Sequence, residues 1–334
     1  MRAPGGRSRL AYEGSFYTKM YFPVSGVEVF PGIPLVVAFV VSLFTSMGGV
    51  SGAFLLLPFQ VSVLGFSSPS VSPTNLVFNI VAIPSGVYRY IREGRMAWPL
   101  AWVIIVGTLP GVFIGAVLRI KYLPDPKNFK FFVGCVLLYI AIRLLYDMTP
   151  WASVKKAKSN ALEEKFKDRL SKRQREVGTT RCVMIRTVKF SLMRYTYEFY
   201  GETFSFNTIA LFAVTFVVGI IGGTYGIGGG SIIAPFLITI FGLPVYTIAG
   251  AALLGTFLTS IVGVIFYTVI APMYAYTGLA IVPDWRLGIL FGIGGFLGMY
   301  CGARLQKYFP ARTIKMILGL VILFLSIRYI SNVF

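Results

Sequence analysis

Gly222-Gly223-Thr224-Tyr225-Gly226-Ile227-Gly228-Gly229-Gly230 sits in the middle of an apolar block that runs over 206–241. As one helix that block would measure about 54 Å at about 1.5 Å per residue, well beyond the roughly 30 Å of hydrocarbon in a bilayer. Six glycines in nine positions oppose continuous helix as well, since each costs about 1 kcal/mol relative to alanine. Pro235 follows five residues after the run, where it suits the first turn of a new helix. The stretch therefore reads as a helix, an unwound crossing and a second short helix, folded as a hairpin or a sharply broken span. Unwound backbone inside a bilayer survives only where protein buries it or where it lines a wet cavity.

The same feature occurs earlier in the chain. Sliding the sequence by 177 residues puts Gly49-Val50-Ser51-Gly52 on Gly226-Ile227-Gly228-Gly229, Pro58-Phe59 on Pro235-Phe236, and Gly86 on Gly263. After about ten extra residues in the second copy, Gly107, Gly111 and Gly115 fall on Gly294, Gly298 and Gly302, and Ile142-Arg143 matches Ile327-Arg328. An ordered series of matches through four blocks implies a duplicated unit. The apolar blocks are 33–64, 72–90, 98–118 and 129–146 in one copy, then 206–241, 245–267, 288–305 and 313–330 in the other. The fold class expected is an all-α polytopic membrane protein of two four-block repeats with broken first helices.

Composition agrees with a bilayer environment. Hydrophobic residues are 56% of 334 and charged residues 13%, far too few polar groups to cover a soluble core of this size. The net charge of +19 sits mainly in loops flanking the apolar blocks. That pattern anchors spans and meets anionic lipid rather than nucleic acid. Cys135, Cys182 and Cys301 are scattered, without metal or disulfide spacing. The domains expected are a polar tail over 1–32, a first transmembrane repeat over 33–148, an insertion over 149–205 and a second repeat over 206–334. The insertion carries thirteen Lys/Arg against six Asp/Glu, which places it in the cytoplasm. Spacing predicts an amphipathic helix over 153–174 and a β-hairpin or meander over 180–206.

Polar residues inside the blocks supply the candidate site. Two helix breaks converging near the midplane would point free N–H groups and the positive ends of helix dipoles at a negative ligand. Ser51, Gly52, Gly229, Gly230 and Ser231 are the candidate donors, Asn75, Asn79 and Thr256 the orienting groups, and Tyr225 the lining or gating ring. Interhelical hydrogen bonding is the plainer role for each of these side chains. The regular four-residue glycine spacings at 107–115 and 294–302 read as close helix packing. Histidine is absent, and no Asp or Glu lies deep in a block. That disfavours a proton relay, divalent-metal transport and hydrolytic chemistry, and no cofactor or metal is implied.

The glycine-rich break followed by Pro (Gly48 to Pro58 and Gly226 to Pro235), the Pro-Gly-x-x-x-Gly-Ala stretch at Pro110 to Ala116, and the Gly-x-x-x-Gly-Ala-Arg-Leu stretch at Gly298 to Leu305 resemble the TauE/SafE family. This is also called the sulfite exporter or 4-toluene sulfonate uptake permease family. The resemblance covers about 33–147 and 206–330. It implies multi-pass plasma-membrane transport of small sulfur oxyanions or organosulfonates, such as sulfite and sulfoacetate. The expected partners are the bilayer and a small anion, with self-association into a homo-oligomer left open. A passive anion channel, or a membrane scaffold working through the basic insertion, are the alternative readings. Two topologies also stay open: eight crossings with parallel copies, or hairpin first blocks with inverted copies. The overlong first block favours the inverted form.

Overall fold

A computed structural model describes residues 19–47, 50–92, 96–146, 149, 185–191, 194–199, 202–241, 243, 245–305 and 311–331. The first described elements are an antiparallel pair, β1 (Met20–Phe22) and β2 (Val27–Val29), closed by Gly26 at φ +67°. Phe22, Val27 and Val29 of this pair are buried. The helices of the first half are α1 (Gly32–Met47), α2 (Ala53–Ser62), α3 (Val71–Arg92), α4 (Trp98–Lys121) and α5 (Pro126–Tyr146). A three-stranded antiparallel meander follows, β3 (Ile185–Phe190), β4 (Arg194–Phe199) and β5 (Glu202–Asn207). These strands lie at 185–207, and the helix expected over 153–174 lies outside the described residues. The second half holds α6 (Thr208–Tyr225), α7 (Ile233–Phe241), α8 (Val245–Ile270), a 3-10 turn (Ala271–Thr277), α9 (Trp285–Leu305) and α10 (Ala311–Ser331).

Each broken block stops where its composition predicts. Asn207 caps α6 by accepting from the Ile209 and Ala210 N–H groups, which satisfies donors that no helical carbonyl can reach. Gly226 ends α6 in the left-handed region at φ +81°, and Gly228 repeats that value two residues on. Only residues without a Cβ adopt such angles cheaply. Four helices among the described residues are long and apolar enough to cross a membrane: Trp98–Lys121, Pro126–Tyr146, Thr208–Tyr225 and Ile248–Thr277.

Glycine contacts give the helix directions. Along α9, Gly294, Gly298 and Gly302 rest on the backbone of Leu35, Phe39 and Leu43 in turn, so α1 and α9 run parallel. Along the same helix, Gly288 meets Val77, Gly292 meets Val81 and Gly295 meets Ala82, so α3 runs parallel to both. These three helices begin together at one end, where Ser25 donates to Asp284 and Ser70 donates to the Val282 carbonyl. The chain can start α1 and α3 at one end only if α2 returns to it, so α1 and α2 form a hairpin. The second half repeats the arrangement around α4. Gly107 meets Thr215, Gly111 meets the Gly219–Ile220 backbone and Gly115 meets Gly223 and Thr224, while Gly255 meets Ile104 and Gly263 meets Val112. Helices α6 and α8 therefore both run with α4, and α7 returns.

The two hairpins enter from opposite ends. Gly86 meets Leu253 and Gly263 meets Leu76, so α3 and α8 are antiparallel. Gly134 meets Tyr329 and Ile330 while Gly319 meets Leu144 and Leu145, so α5 and α10 are antiparallel too. The closeness at these crossings is severe. A Cβ at Gly111 would stand 2.4 Å from the Phe216 carbonyl oxygen, and one at Gly298 would stand 2.2 Å from that of Phe39. Small residues here let backbones approach and gain dispersion contact, which drives helix association where lipid is as apolar as leucine.

Candidate substrate site at the junction of the two breaks

Helix α3 carries the residues that join the breaks. The Asn75 amide donates to the Ala53 carbonyl at the start of α2 and to the Gly226 carbonyl in the second break, each at 3.0 Å. Its Oδ1 accepts from Gln60 Nε2 at 3.3 Å. One turn further, the Asn79 amide donates to the Ile227 carbonyl at 2.9 Å and to Ser260 Oγ at 3.2 Å. Its Oδ1 accepts from Ser51 Oγ at 2.6 Å, and Ser51 Oγ in turn accepts from the Ala53 N–H. Unwinding the chain frees carbonyls that cost several kcal/mol each if left bare in hydrocarbon. Two asparagines four residues apart lie on one face of α3 and supply donors to both breaks.

The second break is packed on every side. A Cβ at Gly226 would fall 2.4 Å from Ser72 Cβ, one at Gly229 would fall 2.5 Å from Thr108 Cβ, and one at Gly230 would fall 2.3 Å from the Ala252 carbonyl oxygen. The Gly229 N–H donates to Thr259 Oγ1 at 3.2 Å. Ser231 Oγ donates to the Ile227 carbonyl, and Thr256 Oγ1 donates within its own helix to the Ala252 carbonyl. Tyr225 reaches across to the other hairpin, its hydroxyl donating to the Phe54 carbonyl at 2.7 Å.

Of the residues singled out in the sequence, Asn75, Asn79 and Tyr225 link the two hairpins, and Ser51 joins them through Asn79. Gly229, Gly230, Ser231 and Thr256 form the wall on the α7 and α8 side. Gly52 stands apart, its nearest neighbours being Ser42, Thr45 and Val41 of α1. Gln60, Thr108, Thr259 and Ser260 join the junction as further polar members, all of them fully buried. Gln60 is the most legible of these in retrospect, as a lone amide inside an otherwise apolar block.

Asn75, Asn79, Ser51, Thr256 and Tyr225 are all inaccessible to solvent, so the junction is closed to both ends in this conformation. Its donors serve one another and the backbone. An anion could be seated here only by displacing internal hydrogen bonds, exchanging neutral ones for charge-assisted bonds roughly twice as strong. Short helices α2 and α7 both begin at this junction, adding the positive ends of two helix dipoles.

The family described as sulfite exporter TauE/SafE matches residues 34–329. A Bacillus subtilis (strain 168) protein called probable membrane transporter protein YunE is 23% identical over 292 residues, covering 85% of this chain and 92% of its own length. No solved structure matches. A match that spans both broken hairpins and every helix packed around them places the chain in the TauE/SafE family of membrane transporters.

Proposed function

We propose that the chain carries small anions across the plasma membrane by alternating access. The expected substrates are sulfur oxyanions and organosulfonates, with sulfite and sulfoacetate foremost. The observation that carries this reading is the pair of asparagines on α3 that hydrogen-bond both breaks at once. In this reading the two halves are inverted copies of one unit. A ligand seated at their junction would sense a movement of either half, because Asn75 and Asn79 tie each hairpin to the same helix. Neutral donors and helix N-termini suit an anion, and the family is described as one of sulfite exporters. The reading gives Ser51, Ser231 and the Gly229–Gly230 backbone to the anion, and gives Asn75, Asn79 and Thr256 the task of orienting it.

Sulfite counterflow in proteoliposomes tests the proposal. Vesicles loaded with unlabelled sulfite should transiently accumulate labelled sulfite above the external concentration, and the initial rate should saturate. Sulfite that only equilibrates, without overshoot or saturation, would favour a passive channel. An absence of sulfite and sulfoacetate flux with folded protein would overturn the substrate class.

A further inference from the structure

We propose that Arg119 forms a second anion-binding position, beside the junction and on the end of the protein opposite the β3–β5 meander. This inference rests on the anion-carrier reading above.

Arg119 continues the α4 stripe of Gly107, Gly111 and Gly115, each of which packs against α6. Gly115 meets Gly223 and Thr224, and α6 ends at Tyr225. The next position of the stripe therefore falls where α6 has given way to the break. Arg119 is fully buried there. Its Nη1 donates to the Leu123 carbonyl, and its guanidinium carbon lies 3.7 Å above the centre of the Phe129 ring. Nε and Nη2 make no hydrogen bond. Among the described residues, no carboxylate pairs with it.

Such a group is costly. Guanidinium carries five N–H donors and stays charged in proteins, and a buried charge without a counter-ion is strongly destabilising. Closing the end of α4 on the Leu123 carbonyl uses one donor, which a neutral side chain could serve. The remaining donors match the oxygens of a small oxyanion, which arginine grips in bidentate fashion. The neighbours extend this position toward the junction. Tyr267 of α8 lies within electrostatic range of Arg119 and beside Ser72, and Ser72 is the residue that Gly226 rests against. Ser72, Asn75 and Asn79 follow one another at three- and four-residue spacing along α3, so one helix face runs from the arginine to the hairpin tips. The corresponding position in the second copy, 187 residues on, is Gln306.

Sulfite flux in proteoliposomes, measured at a range of concentrations for wild type, Arg119→Lys, Arg119→Gln and Tyr267→Phe, tests this directly. Arg119→Gln should raise the half-saturating sulfite concentration at least about tenfold. Arg119→Lys, which keeps the charge and loses the fork, should fall between Gln and wild type. Sulfite should also raise the melting temperature of detergent-solubilised wild type more than that of either variant. Should Arg119→Gln fail to fold, Arg119→Lys and Tyr267→Phe carry the test. Wild-type half-saturation in the folded variants, with only the melting temperature lowered, would overturn the binding role and leave Arg119 as a helix tie. Wild-type protein that moves no sulfite would overturn the carrier reading, and this position with it.

Discussion

Ser51 and Asn79 share a 2.6 Å hydrogen bond across the interface of the first break and α3, while the same Asn79 holds the Ile227 carbonyl of the second break. One side chain thus reports on both hairpins. Truncating it leaves the Ser51 hydroxyl and the Ile227 carbonyl each short of a bond, in a place water does not reach. Asn79→Ala should therefore destabilise the folded protein by about 1–3 kcal/mol. A fall in the melting temperature of purified protein checks this, and Asn79→Ala protein as heat-stable as wild type would remove the bridging role.

Gly226 and Gly278 separate strain from crowding. Both have positive φ, +81° and +67°, but a Cβ at Gly226 meets Ser72 at 2.4 Å whereas one at Gly278 meets nothing within 4 Å. Gly278→Ala should cost about 1 kcal/mol from backbone strain alone and leave transport intact. Gly226→Ala should cost more and abolish flux. Yield of monodisperse protein and sulfite flux, compared for the pair, decide whether the break tolerates a side chain.

Tyr225→Phe removes one hydroxyl that ties the second hairpin to the Phe54 carbonyl of the first. The ring still fills its place, so the loss should be about 1 kcal/mol. If the tie helps hold the closed state, flux should change by a few-fold while the fold survives. Circular dichroism melting alongside flux separates the two effects.

Asp284 anchors the end opposite the meander. Its Oδ1 accepts from the Leu287 N–H at the start of α9, and its Oδ2 accepts from both the N–H and the hydroxyl of Ser25. Asp284→Ala should cost about 1–2 kcal/mol as a lost helix cap and should loosen the β1–β2 pair. Faster amide exchange at 20–29 with an unchanged half-saturating concentration is the expected pair of results.

The broken block at 206–241 is legible in the sequence because length and glycine content both contradict a single helix, and either alone would have sufficed. Helix directions are less so. The overlong first block favours a hairpin but leaves eight crossings open, and the return is decided when Gly294 and Gly298 are seen against Leu35 and Phe39. Asn75 and Asn79 stand out as amides in an apolar segment, but their double attachment to carbonyls of two distant breaks is a tertiary fact. Residues 20–29 escape notice because two three-residue strands carry too little alternation to register against a polar background. Arg119 escapes for a different reason. It lies one residue past an apolar block, where arginines ordinarily reach for water, and only packing against Phe129 of α5 and the neighbourhood of Tyr267 of α8 make it a buried charge.

The central claim is that the anion passes through the junction of the two hairpin tips, and the most direct measurement is sulfite flux in Gly229→Leu and Asn79→Asp beside wild type, each reconstituted as verified folded protein. Gly229→Leu drives a side chain into Thr108, and Asn79→Asp replaces an amide donor by an acceptor, with a negative charge when ionised. Both should abolish saturable flux. Near-wild-type flux in either folded variant would contradict the claim and place the path elsewhere in the bundle.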